Sequence, residues 1–177
     1  MAEVIGLTGQ TGAGKSTVRK LLKAKGAAVI DADFVAHEVA DNNLSCLTDI
    51  VEHFSCMVLD EKGKLNRRAL GRIVFSDRKK LALLNKIMFP YIVSAIKGQV
   101  TAYEQAGAQI IVIDGATLIE SGCAKMCSVL VSVTADEETR LTRIIHRDGI
   151  SKRDAVRRVS AQHPEEFYIK ASDYVIK

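Results

Sequence analysis

The chain has 177 residues, 47% of them hydrophobic and 26% charged, and a net charge of +4. That length suits one domain carrying insertions. The composition excludes a disordered chain, and no continuous apolar run approaches the roughly 20 residues of a bilayer span. With no room for a signal peptide before the first motif, and no CxxC pair among Cys46, Cys56, Cys123 and Cys127, a cytoplasmic protein with free thiols is expected.

"EVIGLTG" reads as a buried strand, followed by a helix from Ser16 to about Lys25 with Val18, Leu21 and Leu22 on one side and Gly26 as its stop. Between them Gly9, Gly14, Lys15 and Ser16 fit G-x-x-x-x-G-K-[ST]. The N–H groups of such a loop turn towards an anion, and the helix N-terminus adds positive potential. Gly9, Gln10, Thr11, Gly12, Ala13, Gly14, Lys15, Ser16 and Thr17 are therefore the candidate nucleotide-binding residues. Lys15 would reach the β- and γ-phosphates, Ser16 would offer its hydroxyl to Mg²⁺, and Thr17 would touch the α-phosphate region. A glycine-rich turn with a surface lysine is the plainer alternative, and the full motif in its strand–helix setting speaks against it.

"AAVIDAD" is a second short strand, ending in Asp31 and Asp33. Alternation along a strand puts both carboxylates on one side. One can cap the helix that begins near Phe34, and the other can accept a proton from an attacking hydroxyl or hold the water shell of a metal. Asp33 is the favoured catalytic acid. An irregular helical stretch runs on to about Phe75, with a turn at "DEKGK" before "LNRRALGRIVF". Ser76 and Asp77 can cap a long helix reaching about Gln105, which Pro90 must kink or break.

"AQIIVIDGA" and "SVLVSVTA" are the third and fourth strands. Asp114, ending the third, occupies the place of a Walker B carboxylate or of a group that positions substrate or water. Glu120, in "TLIESG", either fixes a substrate hydroxyl or amine or is an ordinary acid at a helix start. Asp136 starts a basic helix through about Arg147, "DGIS" turns, Ser151 and Asp154 match a capping box, and "SDYVIK" is a last short strand. Strands without polar alternation, alternating with helices, imply a parallel sheet buried on both faces, with chemistry at the carboxyl ends of its strands.

Arg140, Arg143 and Arg147 recur at helical spacing on one face, and Arg153, Arg157 and Arg158 follow the turn. Triphosphate transfer needs cations over the equatorial oxygens and exclusion of water, which a basic hairpin closing as a lid supplies. A solvated basic face or an RNA-binding patch is the alternative, but no aromatic residues are interleaved to stack bases.

Taken in order, "GLTGQTGAGKSTV", "VIDAD" with His37 after it, "GKLNRRALGRIVF", "VIDGATLIESG", "TRIIHRDGIS" and "SDYVIK" resemble the dephospho-CoA kinase family over nearly the whole chain. The resemblance implies an α/β fold of the P-loop NTPase type, three-layered around a parallel sheet, with a core of about 1–33, 108–135 and 171–177, a helical substrate-binding insertion of about 34–107 and a basic lid of about 136–166. It implies transfer of the ATP γ-phosphate to the 3′-hydroxyl of dephospho-CoA with Mg²⁺. By position it implies Asp33 as base, Lys15 as the phosphate-binding lysine, Arg143 or Arg147 as the lid arginine, and Thr8, His37, Arg67 and Glu120 with Asp33 on the substrate side. The expected partners are ATP and dephospho-CoA, with neither nucleic acid nor membrane, in a monomer or weak homo-oligomer. Where the family usually has a His-Pro pair after a Glu-containing helix, this chain reads "LNKIMFP", with Asn85 and Phe89 in those places, and "DGATLIE" replaces the family's Asp-x-Pro-Leu-Leu. Two rivals stand beside this reading. One is another P-loop kinase for a nucleoside, nucleotide or small metabolite. The other is a nucleotide-gated binding protein, against which "NKIM" lacks the Asp of a guanine-reading N-K-x-D.

Overall fold

A computed structural model describes all 177 residues. Five parallel strands, β1 (Glu3–Gly9), β2 (Ala28–Asp31), β3 (Ile110–Asp114), β4 (Val129–Val133) and β5 (Tyr174–Ile176), form one sheet in the order β2-β3-β1-β4-β5. The α-helices are α1 (Lys15–Ala24), α2 (Ala32–Asn42), α3 (Leu44–Phe54), α4 (Arg67–Val74), α5 (Arg78–Gln105), α6 (Leu118–Ser121), α7 (Glu137–Asp148), α8 (Lys152–Ser160) and α9 (Glu165–Ala171). The chain forms two compact units, one of Met1–Asp31 with Gln99–Lys177 and one of Ala32–Gly98. The helical unit thus ends inside α5, and residues 136–166 group with the sheet.

In the sheet unit β1 is central, pairing with β3 on one side and β4 on the other, with Ile5 in register with both Val112 and Val129. Leu7, Ala13, Ala27, Val112 and Val133 form a buried cluster against which Val18 and Leu22 of α1 pack. β-branched residues suit these short, doubly covered strands. Leu21, expected on the inner side of α1, instead faces solvent. The register makes Asp31 and Asp114 neighbours at the carboxyl ends of β2 and β3. Where β1 runs out, Gly9 has φ +141° and a Cβ there would overlap the Val133 carbonyl, so the chain can leave the sheet at this point only as glycine.

α7 and α8 form a hairpin with a small core of its own, Ile144, Ala155 and Val159, flanked by Leu141, Ile145 and Ile150. Asp136 caps α7 by accepting from the Thr139 amide at 2.8 Å, and Ser151 caps α8 by accepting from the Asp154 amide at 3.1 Å. Asp148 binds Arg147 at 2.7 and 2.9 Å and also pairs with Arg158 of α8. The Arg147 hydrogen bonds, with the Arg147 and Arg158 charges, hold the Asp148 carboxyl below the usual carboxylate range.

In the helical unit, Asn43 caps α3 and Asn66 caps α4 through the amides of Cys46 and Ala69. The expected turn is built on Asp60, whose Oδ1 accepts from the Lys62 and Lys64 amides, each at 2.9 Å. Tyr91 donates to Asp49 at 2.6 Å, and this bond, with burial behind it, pushes the phenol up to about 12.

Two further expectations change. α5 is not broken at Pro90: helix continues on both sides of it. A proline cannot donate back to Lys86, a loss of about 3 kcal/mol in a helix interior, and a long helix anchored by buried Leu84, Ile92 and Ile96 absorbs it. The second correction concerns β2, which ends at Asp31, so Asp33 lies in the first turn of α2 and strand alternation does not reach it. α5 also contains an 18-residue window of mean hydropathy 1.2, enough by length and composition for a membrane span, although no unbroken apolar run is present.

Candidate active site

The glycine-rich loop links β1 to α1, and Lys15, Ser16 and Thr17 form the first turn of that helix. Intrahelical bonding leaves the first amides of a helix unused, and here they follow a loop rich in glycine. The Lys15 ammonium lies on Asp114, a carboxylate only 3% exposed. Arg19, one turn further along α1, reaches the other Asp114 oxygen at 3.1 Å and Asp31 at 2.6 Å. Two cations and two carboxylates therefore balance at the ends of β2 and β3. Asp114 is thus a partner of the loop lysine, a contact the sequence reading of it as a Walker B carboxylate or a substrate- or water-positioning group did not include. Lys15 keeps further N–H donors, because an ammonium has three.

Above the loop, Arg143 donates to the carbonyls of Gly12 at 3.2 Å and Ala13 at 3.0 Å. Gly12, Gly14, Ser16, Thr17, Arg143 and Arg147 line a cavity of about 620 Å³, and His146 reaches it from the same helix. The expected single face of three arginines is divided. Arg143 and Arg147 border this cavity, whereas Arg140 turns inward, is 6% exposed, and lines a second cavity with Gln10. Of the two arginines at the nucleotide-sized cavity, Arg147 is engaged by Asp148 and Arg143 by the loop itself.

Thr8 is fully buried. Its hydroxyl, Oε1 of Gln10, the Thr134 hydroxyl, and Nε and Nη1 of Arg140 are buried without a hydrogen-bond partner in the protein. Gln10 and Thr11 are bonded to Gln162 and His163. Glu120, in the short α6, lies 3.6 Å from His163 Nε2. Tyr168 is buried near both Glu120 and Arg140; burial, reinforced by the Glu120 charge, pushes its phenol up to about 12.

In the helical unit Asp33 is an exposed acid in the first turn of α2. Arg67, the first residue of α4, makes a two-pronged pair with Asp41, at 3.2 and 2.7 Å, and donates to the His37 carbonyl at 2.8 Å. His37, Arg67, Leu70, Val74, Phe75 and Met88 border an apolar cavity of about 290 Å³.

Sequence reasoning missed Arg19 and His146. Each is separated by a helical step from a residue already singled out, Lys15 or Arg143, and that spacing was the available signal.

The strand order, the glycine loop opening α1 and the Arg143 guanidinium bonded to that loop define a P-loop protein of the α/β class. Compared with known proteins, residues 3–177 match the family model CoaE, dephospho-CoA kinase. The dephospho-CoA kinase of Arabidopsis thaliana is 40% identical over 173 residues, 98% of this chain and 75% of that protein. The crystal structure of a Thermus thermophilus protein superposes with a TM-score of 0.81 at 32% identity, covering 98% of this chain and 87% of that one. Dephospho-CoA kinase from Campylobacter jejuni gives a TM-score of 0.71 at 28% identity, covering 100% of this chain and 88% of that one. The chain belongs to the dephospho-CoA kinase family, whose ATP-dependent reaction is the last step of coenzyme A biosynthesis.

Proposed function

We propose that the chain transfers the ATP γ-phosphate to the ribose 3′-hydroxyl of dephospho-CoA, with Gly9 to Thr17 cradling the triphosphate and Asp33 accepting the hydroxyl proton. The observation that carries this reading is the Arg143 guanidinium, bonded to the Gly12 and Ala13 carbonyls at the rim of the 620 Å³ cavity. It sets a fixed cation beside the loop, where charge on a transferring phosphoryl group would be stabilised without reorganisation. Lys15 would share its remaining donors with the β- and γ-phosphates while Asp114 and Arg19 hold its position. In the helical unit, the apolar cavity with Arg67 and His37 at its edge suits an acceptor that combines phosphate with an apolar arm.

Magnesium fits the residues present. Mg²⁺ takes hard oxygen ligands and is usually held by one or two protein groups together with substrate phosphates. The Ser16 hydroxyl borders the cavity, and Asp31 and Asp114 are carboxylates at the neighbouring strand ends. No group of three His, Cys, Asp or Glu side chains is assembled to hold a metal by itself, and this mode of binding needs none. When bound, Mg²⁺ supplies neutralisation of the β- and γ-phosphate oxygens.

Purified protein given ATP and Mg²⁺ is expected to release ADP with dephospho-CoA and not with adenosine, nucleoside monophosphates or shikimate, and the product is expected to carry the new phosphate at the 3′-position. Release with one of those acceptors but not with dephospho-CoA overturns the assignment. Between the lid arginines, Arg143→Ala is expected to lower kcat about 100-fold, the scale of one lost transition-state contact. Arg147→Ala should cost less than about 10-fold, because its guanidinium is shared with Asp148. Steady-state kinetics in which the two losses are reversed would exchange their roles.

A further inference from the structure

The outer limb of the phosphate loop is fastened by a segment far away in sequence. The Thr11 N–H donates to Oε1 of Gln162 at 2.8 Å, and Nε2 of Gln10 donates to the His163 carbonyl at 2.9 Å. Gln162 and His163 lie in the short link between α8 and α9. On the other side the loop rests against α7: a Cβ on Gly12, whose φ is +79°, would come within 2.7 Å of the Arg140 carbonyl oxygen. Left to itself such a stretch is soft, since it is rich in glycine and the bond crossing it, from the Ala13 N–H to the Gln10 carbonyl, is 3.2 Å long.

We infer that Gln162 is a positioning residue for phosphoryl transfer. By accepting the Thr11 N–H it fixes the curvature of the outer limb, and so sets where the following amides present themselves to the terminal phosphate. Transfer is sensitive to such placement, because catalysis here consists of positioning and electrostatics and a shift of about 1 Å can cost about 100-fold. Lys15, Ser16 and Thr17 belong to α1 and do not depend on this clip, so the loss should fall on turnover more than on nucleotide affinity. Gln162 is half-buried in a surface link and outside the buried core, so replacing it opens no cavity there. The inference rests on the reading of the loop as the ATP site.

Two variants separate the acceptor from the shape. Gln162→Met keeps length and removes the acceptor; Gln162→Glu keeps an acceptor oxygen. Gln162→Met is expected to lower kcat about 10-fold, the worth of one well-made hydrogen bond, with the ATP dissociation constant within about 2-fold of wild type. The ¹H–¹⁵N resonance of the Thr11 amide should move upfield and its exchange with solvent quicken. Gln162→Glu should hold that resonance and recover most of the kcat. Retention of wild-type kcat by Gln162→Met, an unmoved Thr11 resonance, or losses that follow the thermal midpoint rather than the acceptor would each overturn the inference. Should the wild type phosphorylate an acceptor other than dephospho-CoA, the proposed acceptor falls, and the same three proteins compared on that other acceptor still decide the role of Gln162.

Discussion

Lys15→Ala is expected to reduce kcat/KM by at least about 100-fold, about 2.7 kcal/mol of transition-state stabilisation. The lysine is the only side-chain cation within the loop motif itself, and its charge develops its full value where negative charge accumulates between the β- and γ-phosphates. Its present partner does not confuse the experiment. Asp114 is 3% exposed, and removing one member of a buried pair usually strands the other. Here Arg19 remains 3.1 Å from the second carboxylate oxygen, so the charge keeps a partner. The variant should therefore fold, with a thermal midpoint near that of wild type, while losing both turnover and ATP affinity. Calorimetric titration with ATP alongside the kinetics makes the distinction, and wild-type kcat/KM in a folded variant removes Lys15 from the mechanism.

The second large effect belongs to Asp33. Asp33→Asn is expected to lower kcat at least about 100-fold, the range of a lost general base, and to leave the ATP dissociation constant nearly unchanged. Asn has the same shape and cannot take a proton near neutral pH. Asp33 is exposed in the first turn of α2, where an acid contributes about 0.3–1 kcal/mol to the helix through its dipole, and a thermal midpoint measured beside the kinetics separates lost catalysis from lost fold. Turnover equal to wild type would show that this carboxylate takes no proton.

Much of this architecture is legible in the chain itself. The glycine loop announces itself because the backbone geometry it needs excludes other residues, as the meeting of Gly9 with the Val133 carbonyl makes plain. The strands are legible because burial on both faces demands continuous Val and Ile, and their ends point to Asp31 and Asp114. What stays hidden is whatever depends on partners distant in sequence. Arg19 looks like an ordinary helix-surface arginine until the register of β2 against β3 sets two carboxylates in front of it. The inward turn of Arg140 and the outward turn of Arg143 follow from packing between α7 and the loop, which a three-residue spacing does not contain. Asp33 misled strand reasoning for a local cause: the strand stops two residues early and a helix takes over without a linker. At Pro90 the expectation of a break failed for the opposite cause, a local rule outweighed by the length and anchoring of α5.

The paired helices α7 and α8 enclose Ile144, Ala155 and Val159 between themselves, and Asp148 staples their ends. A piece with its own apolar interior would keep its shape if it moved, because swinging it exposes none of the surface that holds it together. Its attachment lies at its feet, where Arg143 rests on the Gly12 and Ala13 carbonyls and the strand-bound stem below Asp136 begins. Mild denaturant should accordingly loosen those footholds before it melts the pair.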